Sequence, residues 1–220
     1  MPEVIINGPE GRIEGWYQHC KEPNAPIALV LHPHPQQGGT MNHKIVRSMF
    51  NAFTRRGFST LRFNFRGVGR SQGVFDRGEG ELSDAASALD WLQTYNANAT
   101  GCWIGGYSFG AWIGMQLLMR RPEIDSFISI APPASQHDFT FLAPCPSSGL
   151  IVHGDKDEWV PIESVQKLVT KLSHQRDIKI DYRILKGANH SFGSHLTELA
   201  GQVDSYLDAN LATSMGAVKR

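Results

Sequence analysis

The chain has 220 residues, of which 41% are hydrophobic and 19% charged, a balance that suits a folded protein and excludes a disordered one. The 21 Lys and Arg residues equal the 21 Asp and Glu residues, so the chain lacks the basic excess typical of nucleic-acid-binding proteins. A chain of this length can bury roughly 70% of its unfolded surface, and we expect one domain across residues 1–220 that needs no disulfide or metal.

The hydrophobic pattern predicts strands that alternate with helices. A β-hairpin at about residues 3–19, with its turn at Asn7–Gly11, opens the chain. Further strands are predicted at Pro26–Leu31, Phe58–Phe65, Cys102–Tyr107, Ile124–Ala131, Gly149–His153 and Ile178–Leu185. Helices are predicted around Ile45–Phe53, Leu82–Leu92, Phe109–Met119, Val165–Leu172 and Leu196–Leu211, followed by a frayed tail at about residues 212–220.

This alternation is typical of βαβ units around a mostly parallel sheet. In such sheets, ligands bind beyond the carboxyl ends of the strands. We therefore expect the chemistry to lie just after Leu31, Tyr107, His153 and Leu185.

The composition also bears on the compartment. The longest purely apolar run, Ile27–Leu31, is far shorter than the roughly 20 residues that span a bilayer, and the first residues lack a signal-peptide pattern. The widely spaced Cys20, Cys102 and Cys145 favour a reducing compartment. We expect a cytoplasmic protein with no membrane or nucleic-acid partner, and the sequence does not specify an oligomeric state.

The motif Gly106-Tyr107-Ser108-Phe109-Gly110 lies between a predicted strand and a predicted helix. G-x-S-x-G in that context forms a nucleophile elbow, a tight and strained turn that exposes the serine hydroxyl. The two glycines leave room for the turn, and the helix N-terminus favours developing negative charge. The motif predicts Ser108 as a nucleophile, and a glycine-rich helix-packing turn is the structural alternative.

A serine nucleophile needs a base, and the base needs an acid that orients it. Asp155 and Asp157 follow the predicted strand that ends at His153, and His190 follows the strand that ends at Leu185. Serine, aspartate and histidine therefore occur in that order, each just beyond a strand. Because the carboxyl ends of parallel strands meet at one edge of the sheet, we expect the three side chains to lie together.

These motifs resemble the α/β-hydrolase superfamily over roughly residues 12–211. The segment Gly57–Gly73 is similar to the superfamily's strand-and-loop signature, and His32–Met41 resembles a bacterial subgroup of small cap-less serine hydrolases. The resemblance implies an α/β-hydrolase fold, a three-layer sandwich whose mostly parallel sheet has about eight strands, the second antiparallel to the rest. Only Pro132–Ser148 occupies the position where this superfamily inserts a cap domain, so we expect no cap.

The resemblance also implies roles for individual residues. The family pattern G-x-x-D-x-x-V matches Asp157 as the acid, and His190 matches the base. In the alternative arrangement, Asp157 caps the following turn and Asp155 bonds the imidazole. We expect His195 to be a solvated or capping residue at the start of the last helix, and His153 to be a buried core residue.

The family's oxyanion hole uses two backbone N–H groups. One is expected from Phe109, the residue after the nucleophile. The other normally comes from a His-Gly-X sequence after the first parallel strand, where this chain has His32-Pro33-His34-Pro35. Because proline has no N–H, His34 is the only donor in that tetrad after His32.

Two other kinds of site have less support. His32, His34 and His43 have no further residue at metal-ligand spacing, and no G-x-G-x-x-G opens a helix after the first strand. We therefore expect neither a metal nor another cofactor. Arg62, Arg66 and Arg70 are expected to bind loop carbonyls beside the elbow rather than a substrate carboxylate.

The expected function is that of a serine hydrolase that cleaves an ester or related acyl bond of a small molecule through an acyl-enzyme, specifically a carboxylesterase. A peptidase, an acyl-protein thioesterase and a non-catalytic binding protein of the same fold are the alternatives. Without a cap the site should be open and bordered by Phe139, Phe141 and Trp159 as substrate-binding residues. Trp112, on the helix after the serine, is expected to pack in the core.

Overall fold

The computed structural model describes residues 2–142, 144–175 and 178–217, in which strands and helices alternate. The strands are β1 (Glu3–Gly8), β2 (Gly11–Gln18), β3 (Ile27–Leu31), β4 (Ser59–Phe63), β5 (Cys102–Tyr107), β6 (Ser126–Ile130), β7 (Ser148–Gly154) and β8 (Ile180–Leu185). The helices are α1 (Lys44–Thr54), α2 (Glu79–Thr94), α3 (Phe109–Leu118), α4 (Ile162–Ser173) and α5 (Leu196–Ala217).

The strands form one sheet in the order β1-β2-β4-β3-β5-β6-β7-β8. β2 pairs antiparallel with both β1 and β4, and every other neighbouring pair is parallel. The mostly parallel sheet of eight strands, with the second antiparallel to the rest, is confirmed. The predicted N-terminal hairpin is the antiparallel pair of β1 and β2, which runs from Glu3 opposite Trp16 to Gly8 opposite Gly11.

Helices cover both faces of the sheet and complete the three layers. The apolar sides of α1 and α5 pack in one buried cluster, and those of α2, α3 and α4 pack in another on the opposite face. β3, β4, β5 and β6 are buried along their whole length. Strands covered on both faces need apolar side chains in both directions, which explains their continuous rather than alternating hydrophobic runs.

The last helix is longer than the sequence predicted. α5 begins at Leu196 as expected but continues to Ala217 instead of ending at Leu211. The added residues contain no proline, and their first glycine is Gly216, so nothing earlier interrupts the backbone hydrogen bonds. Residues 212–217 of the predicted frayed tail are therefore helical, and residues 218–220 lie outside the described residues.

Among the described residues, no cap covers the carboxyl edge of the sheet. Residues 131–147, which connect β6 to β7, form only turns and loops where they are described. This agrees with the cap-less fold that the short connection predicted. In the part of the chain that the structure describes, no helix has both the length and the apolar character that crossing a membrane requires.

Candidate active site

Ser108 occupies the sharp turn between β5 and α3. Its backbone has φ 52° and ψ −120°, a strained conformation for a residue with a side chain. The turn forms because its neighbours are glycines: a Cβ at Gly110 would lie 2.5 Å from the carbonyl oxygen of His32, and one at Gly106 would overlap the carbonyl oxygen of Gly110. The sequence motif is therefore required by close backbone contacts on both sides of the serine.

Ser108, His190 and Asp157 form one hydrogen-bonded row. The Ser108 Oγ lies 3.0 Å from His190 Nε2, and His190 Nδ1 lies 2.7 Å from Asp157 Oδ2. The Tyr107 hydroxyl donates to the backbone carbonyl of His190 over 3.0 Å and so ties the histidine loop to the end of β5. The structure brings the three side chains together at the edge where the strand ends predicted them, and their catalytic roles stay a prediction.

Asp157 both caps the turn that follows it and bonds the His190 imidazole, two roles that the sequence left open between Asp155 and Asp157. Its Oδ2 faces His190, while its Oδ1 accepts the N–H groups of Trp159 and Val160, each over 2.9 Å. Asp155 instead accepts the N–H of Gly187 and does not reach the imidazole. Burial raises the pKa of Asp157, but the hydrogen bonds from His190 and Val160 outweigh it, and the pKa lies below its ordinary value.

His153 supports the loop that carries Asp157. The side chain is fully buried, and its Nε2–H donates to the Val160 carbonyl over 2.9 Å because a carbonyl can only accept. Burial lowers its pKa, so the ring stays neutral. The predicted burial is confirmed, although Nδ1 has no hydrogen-bond partner among the described residues. His195 lies in the turn before α5, next to Ser194 and away from the row.

The two predicted oxyanion donors have free backbone N–H groups. Phe109 is the first residue of α3, where an N–H has no partner within the helix. The His34 N–H makes no hydrogen bond to any described residue. The His34 ring packs against the Phe109 ring at 5.1 Å between centroids, and its Nδ1 accepts the Gln36 N–H over 3.2 Å. The side chain of His34 therefore stabilises its own loop and leaves the backbone N–H available.

His32 holds the peptide group that contains the His34 N–H. Its Nδ1–H donates to the carbonyl of Pro33 over 2.6 Å, and this carbonyl belongs to the same peptide plane as the His34 N–H. Its Nε2 accepts the Phe65 N–H over 3.0 Å. Burial lowers the pKa of His32 to about 3, so the neutral ring with hydrogen on Nδ1 persists at physiological pH. His32 thus connects the Pro33–His34 peptide to the segment after β4.

A cavity of about 300 Å³ opens beside Ser108. Its lining includes His34 with the loop around it, together with Glu158, Trp159 and Asn189. Of the three predicted substrate-binding aromatic residues, Trp159 lines this cavity, and its ring stacks on the His190 ring at 5.1 Å.

Phe139 and Phe141 are not among the described residues that line this cavity, and their substrate-binding role stays a prediction. Their rings stack on each other at 6.0 Å, Phe139 is buried, and both belong to or pack against the core on the face of α2, α3 and α4. Two large aromatic rings in a short connection gain more by burial than by exposure at an open rim. Trp112 packs on the same core as expected, and its Nε1–H donates to the Asp138 carbonyl.

Of the three arginines predicted to bind loop carbonyls, Arg62 does so, whereas the side chains of Arg66 and Arg70 bind the carboxylates of Asp84 and Glu14. Arg62 donates to the Met41 carbonyl and to Asn42 Oδ1, each over 2.6 Å. Burial lowers its pKa to about 10, still far above neutral pH. Arg66 forms a buried ion pair with Asp84, at 2.8 Å between Nη2 and Oδ1. None of the three arginines is among the described residues that line the cavity beside Ser108, in agreement with a structural role.

Sequence reasoning missed several of the residues that line the cavity, among them Glu158, Asn189 and His43. Glu158 and Asn189 directly precede Trp159 and His190, so their positions beside the predicted site were the available signal. His43 had no such signal: it enters the cavity because α1 starts there, with its ring stacked on Tyr107 at 5.0 Å.

Comparisons with known proteins cover nearly the whole chain. The sequence profile of the X-Pro dipeptidyl-peptidase (S15 family) matches residues 16–208. The uncharacterized protein RP471 of Rickettsia prowazekii (strain Madrid E) is 53% identical over 211 residues, which are 94% of this chain and 89% of that protein.

Two crystal structures share the fold closely. ATU1826 from Agrobacterium tumefaciens, a protein of unknown function, superposes with a TM-score of 0.95 at 61% identity, over 96% of this chain and 97% of that one. XC6422 from Xanthomonas campestris, a member of the α/β serine hydrolases without a lid, superposes with a TM-score of 0.82 at 30% identity, over 93% of this chain and 92% of that one.

Proposed function

We propose that this chain, which belongs to the X-Pro dipeptidyl-peptidase (S15) family and is a serine hydrolase of the α/β-hydrolase fold, acts as a carboxylesterase on small acyl substrates. The observation that carries the proposal is the continuous row from the Ser108 Oγ through the His190 imidazole to the Asp157 carboxylate, with contacts of 3.0 Å and 2.7 Å. A base in contact with a serine hydroxyl, and an acid in contact with that base, are what nucleophilic acyl transfer requires.

In the proposed acylation step, Nε2 of His190 takes the proton of Ser108 while Oγ attacks the carbonyl carbon of the ester. The same proton then passes from His190 to the departing alcohol oxygen, and the acyl group stays on Oγ. Asp157 accepts a hydrogen bond from Nδ1–H, which holds the ring in the required tautomer and stabilises its cationic form.

In the proposed deacylation step, His190 takes a proton from water, and the resulting hydroxide attacks the acyl carbonyl. The proton then returns to Oγ as the carboxylic acid leaves. Two N–H groups, those of Phe109 and His34, receive the negative charge of the tetrahedral intermediates in both steps. His32 supports this role because it orients the Pro33–His34 peptide, and a hydrogen bond to the carbonyl strengthens the N–H of the same peptide as a donor.

The open, cap-less edge and the cavity of about 300 Å³ suit a short acyl substrate that enters from solvent. The family match favours one second candidate, a peptidase. An ester and a peptide would use the same nucleophile and base, so the two candidates differ in the substrate that is cleaved and not in the residues that cleave it.

Labelling with a fluorophosphonate probe, followed by rates on matched substrates, tests the proposal. Ser108→Ala should abolish labelling and lower the turnover of p-nitrophenyl acetate by about 10⁶-fold. Ser83→Ala on α2 is the matched control, because it removes an exposed hydroxyl outside the cavity. Faster cleavage of an X-Pro p-nitroanilide than of any short ester would favour the peptidase. Folded protein that takes up no probe would favour a non-catalytic binding protein.

A further inference from the structure

The cavity beside Ser108 has an unbalanced charge. Among its described lining residues, Glu158 is the only acidic side chain, and neither Lys nor Arg lines the cavity. Glu158 is exposed, and none of the ion pairs between described residues involves it. Its carboxylate is therefore available to a bound molecule without first breaking an ion pair.

No other described residue that lines the cavity offsets this negative charge. Burial, then the charges of Lys44 and His190, lower the pKa of His43, which leaves the ring neutral at physiological pH. Asp157 lies one residue before Glu158 and is itself ionised, because its pKa is held below the ordinary value. The cavity therefore presents a net negative potential to an entering substrate.

The exposed aromatic side chain of Trp159 lines the same cavity as the Glu158 carboxylate. Trp159 follows Glu158 directly, lines the same cavity and is 59% exposed. One side of its ring stacks on His190, with 24° between the ring planes, so the exposed part of the indole is presented to solvent and substrate. An aromatic ring next to a carboxylate is the arrangement that binds ammonium groups in proteins, through cation–π attraction and charge.

Trp159 contacts the imidazole that would protonate the leaving group. In acyl transfer the histidine donates its proton to the leaving oxygen, so the leaving group must lie against the imidazole. Trp159 packs on that imidazole and, like Glu158, lines the cavity beside Ser108. A group attached to the departing alcohol would therefore meet Glu158 and Trp159.

We infer that Glu158 and Trp159 form a subsite for a cationic leaving group, so that this enzyme prefers esters of alcohols that carry an ammonium centre to neutral or anionic esters. The inference rests on the proposed function and adds a substrate class to it. Two unit charges about 6 Å apart at a partly solvated surface attract enough to change a rate by about three- to tenfold.

Three acetate esters test the preference: acetylcholine, its uncharged isostere 3,3-dimethylbutyl acetate, and the anionic 3-sulfopropyl acetate. The measured quantity is kcat/KM, divided by the rate of hydroxide-catalysed hydrolysis to remove intrinsic reactivity. The cationic ester should exceed its neutral isostere by about fivefold, and the anionic ester should be the slowest. Raising the salt concentration from about 0.05 M to about 1 M should bring the three values together, because the screening length falls to about 3 Å.

Variants separate the subsite from general effects. Glu158→Gln should reduce the cationic-to-neutral ratio to about one and remove its salt dependence, whereas Glu158→Asp should keep part of both. Trp159→Leu should lower the ratio without removing the salt dependence. Glu163→Gln on α4 is the matched control, because it makes the same chemical change outside this cavity, and the ratio should stay as in the wild type.

The outcomes distinguish this inference from the proposed function. If the wild type hydrolyses the neutral ester but its charge preference is absent, or persists in Glu158→Gln, the subsite is refuted and the esterase proposal stands. If the wild type hydrolyses none of the three esters and takes up no fluorophosphonate, both proposals are overturned. The salt series uses the wild-type protein alone, so the test does not depend on the folding of any variant.

Discussion

His32 offers the sharpest test of how the fold prepares the oxyanion loop. Its ring is fully buried and makes two hydrogen bonds, one to the Pro33 carbonyl at 2.6 Å and one from the Phe65 N–H at 3.0 Å. His32→Leu introduces an apolar side chain of similar size and removes both contacts. The Pro33–His34 peptide then loses the bond that orients it, and the buried Phe65 N–H and the partly buried Pro33 carbonyl lose their partner.

The size of the effect follows from these contacts. The buried Phe65 N–H left without a partner costs about 1–3 kcal/mol and the partly buried Pro33 carbonyl costs less, so the free energy of unfolding should fall by about 2–4 kcal/mol. For a chain of this length, that corresponds to a melting temperature lower by roughly 10 °C. A misplaced oxyanion donor should slow acylation by about 10²-fold, near the effect of deleting one such donor.

Two substitutions of His32 by amide side chains distinguish its hydrogen bond to Pro33 from its hydrogen bond to Phe65. His32→Asn places an amide near the position of Nδ1 and can still donate to the Pro33 carbonyl, whereas His32→Gln reaches the position of Nε2 and can accept from the Phe65 N–H. We therefore expect His32→Asn to retain more acylation activity than His32→Gln, even if both melt at lower temperature.

Pre-steady-state release of p-nitrophenol from p-nitrophenyl acetate measures acylation, and circular dichroism melts measure stability. His174→Leu, at the exposed end of α4, is the control for a histidine-to-leucine change that touches neither the loop nor the core. A folded His32→Leu protein that acylates at the wild-type rate would refute the reasoning, because the Pro33–His34 peptide would then be oriented without this side chain.

Three further predictions concern the acid, the pH and the elbow. Asp157→Asn should reduce turnover by about 10⁴-fold, whereas Asp155→Asn, whose carboxylate binds only a backbone N–H, should reduce it by less than about tenfold in the same ester assay. Five histidines have lowered pKa values in the fold: His32, His34, His43, His137 and His153. As the pH falls below about 6.5, the unfolded chain binds protons at these histidines before the folded protein does, so the stability that the neutral rings contribute is complete above that pH and is lost below it. The melting temperature should therefore decline between about pH 6.5 and about pH 4.5. A constant melting temperature over that range would contradict the lowered pKa values. Gly106→Ala should abolish labelling by fluorophosphonate because its Cβ would overlap the Gly110 carbonyl, whereas Gly201→Ala, in open space on α5, should leave labelling intact and raise the unfolding free energy by up to about 1 kcal/mol.

Much of the fold could be predicted because its signals are local. The fully apolar runs such as Ile27–Leu31 indicated strands covered on both faces, and the helical spacing from Val165 to Leu172 indicated α4. The elbow at Ser108 was predictable because its backbone segments pack so closely that only glycine fits two residues before and two residues after the serine. The order of strands, aspartate and histidine then indicated which edge of the sheet the site would occupy.

The sequence by itself determined which segments form strands and helices and which residues can perform acyl transfer, since both depend on side-chain chemistry and short-range spacing. Only the tertiary structure decided which neighbours each of these residues meets: that Asp157 serves the turn and the imidazole at once, that Phe139 and Phe141 turn into the core, and that His32 bonds the Pro33 carbonyl. These outcomes depend on competition between burial and exposure, and on distances between segments far apart in the chain, which no local pattern specifies.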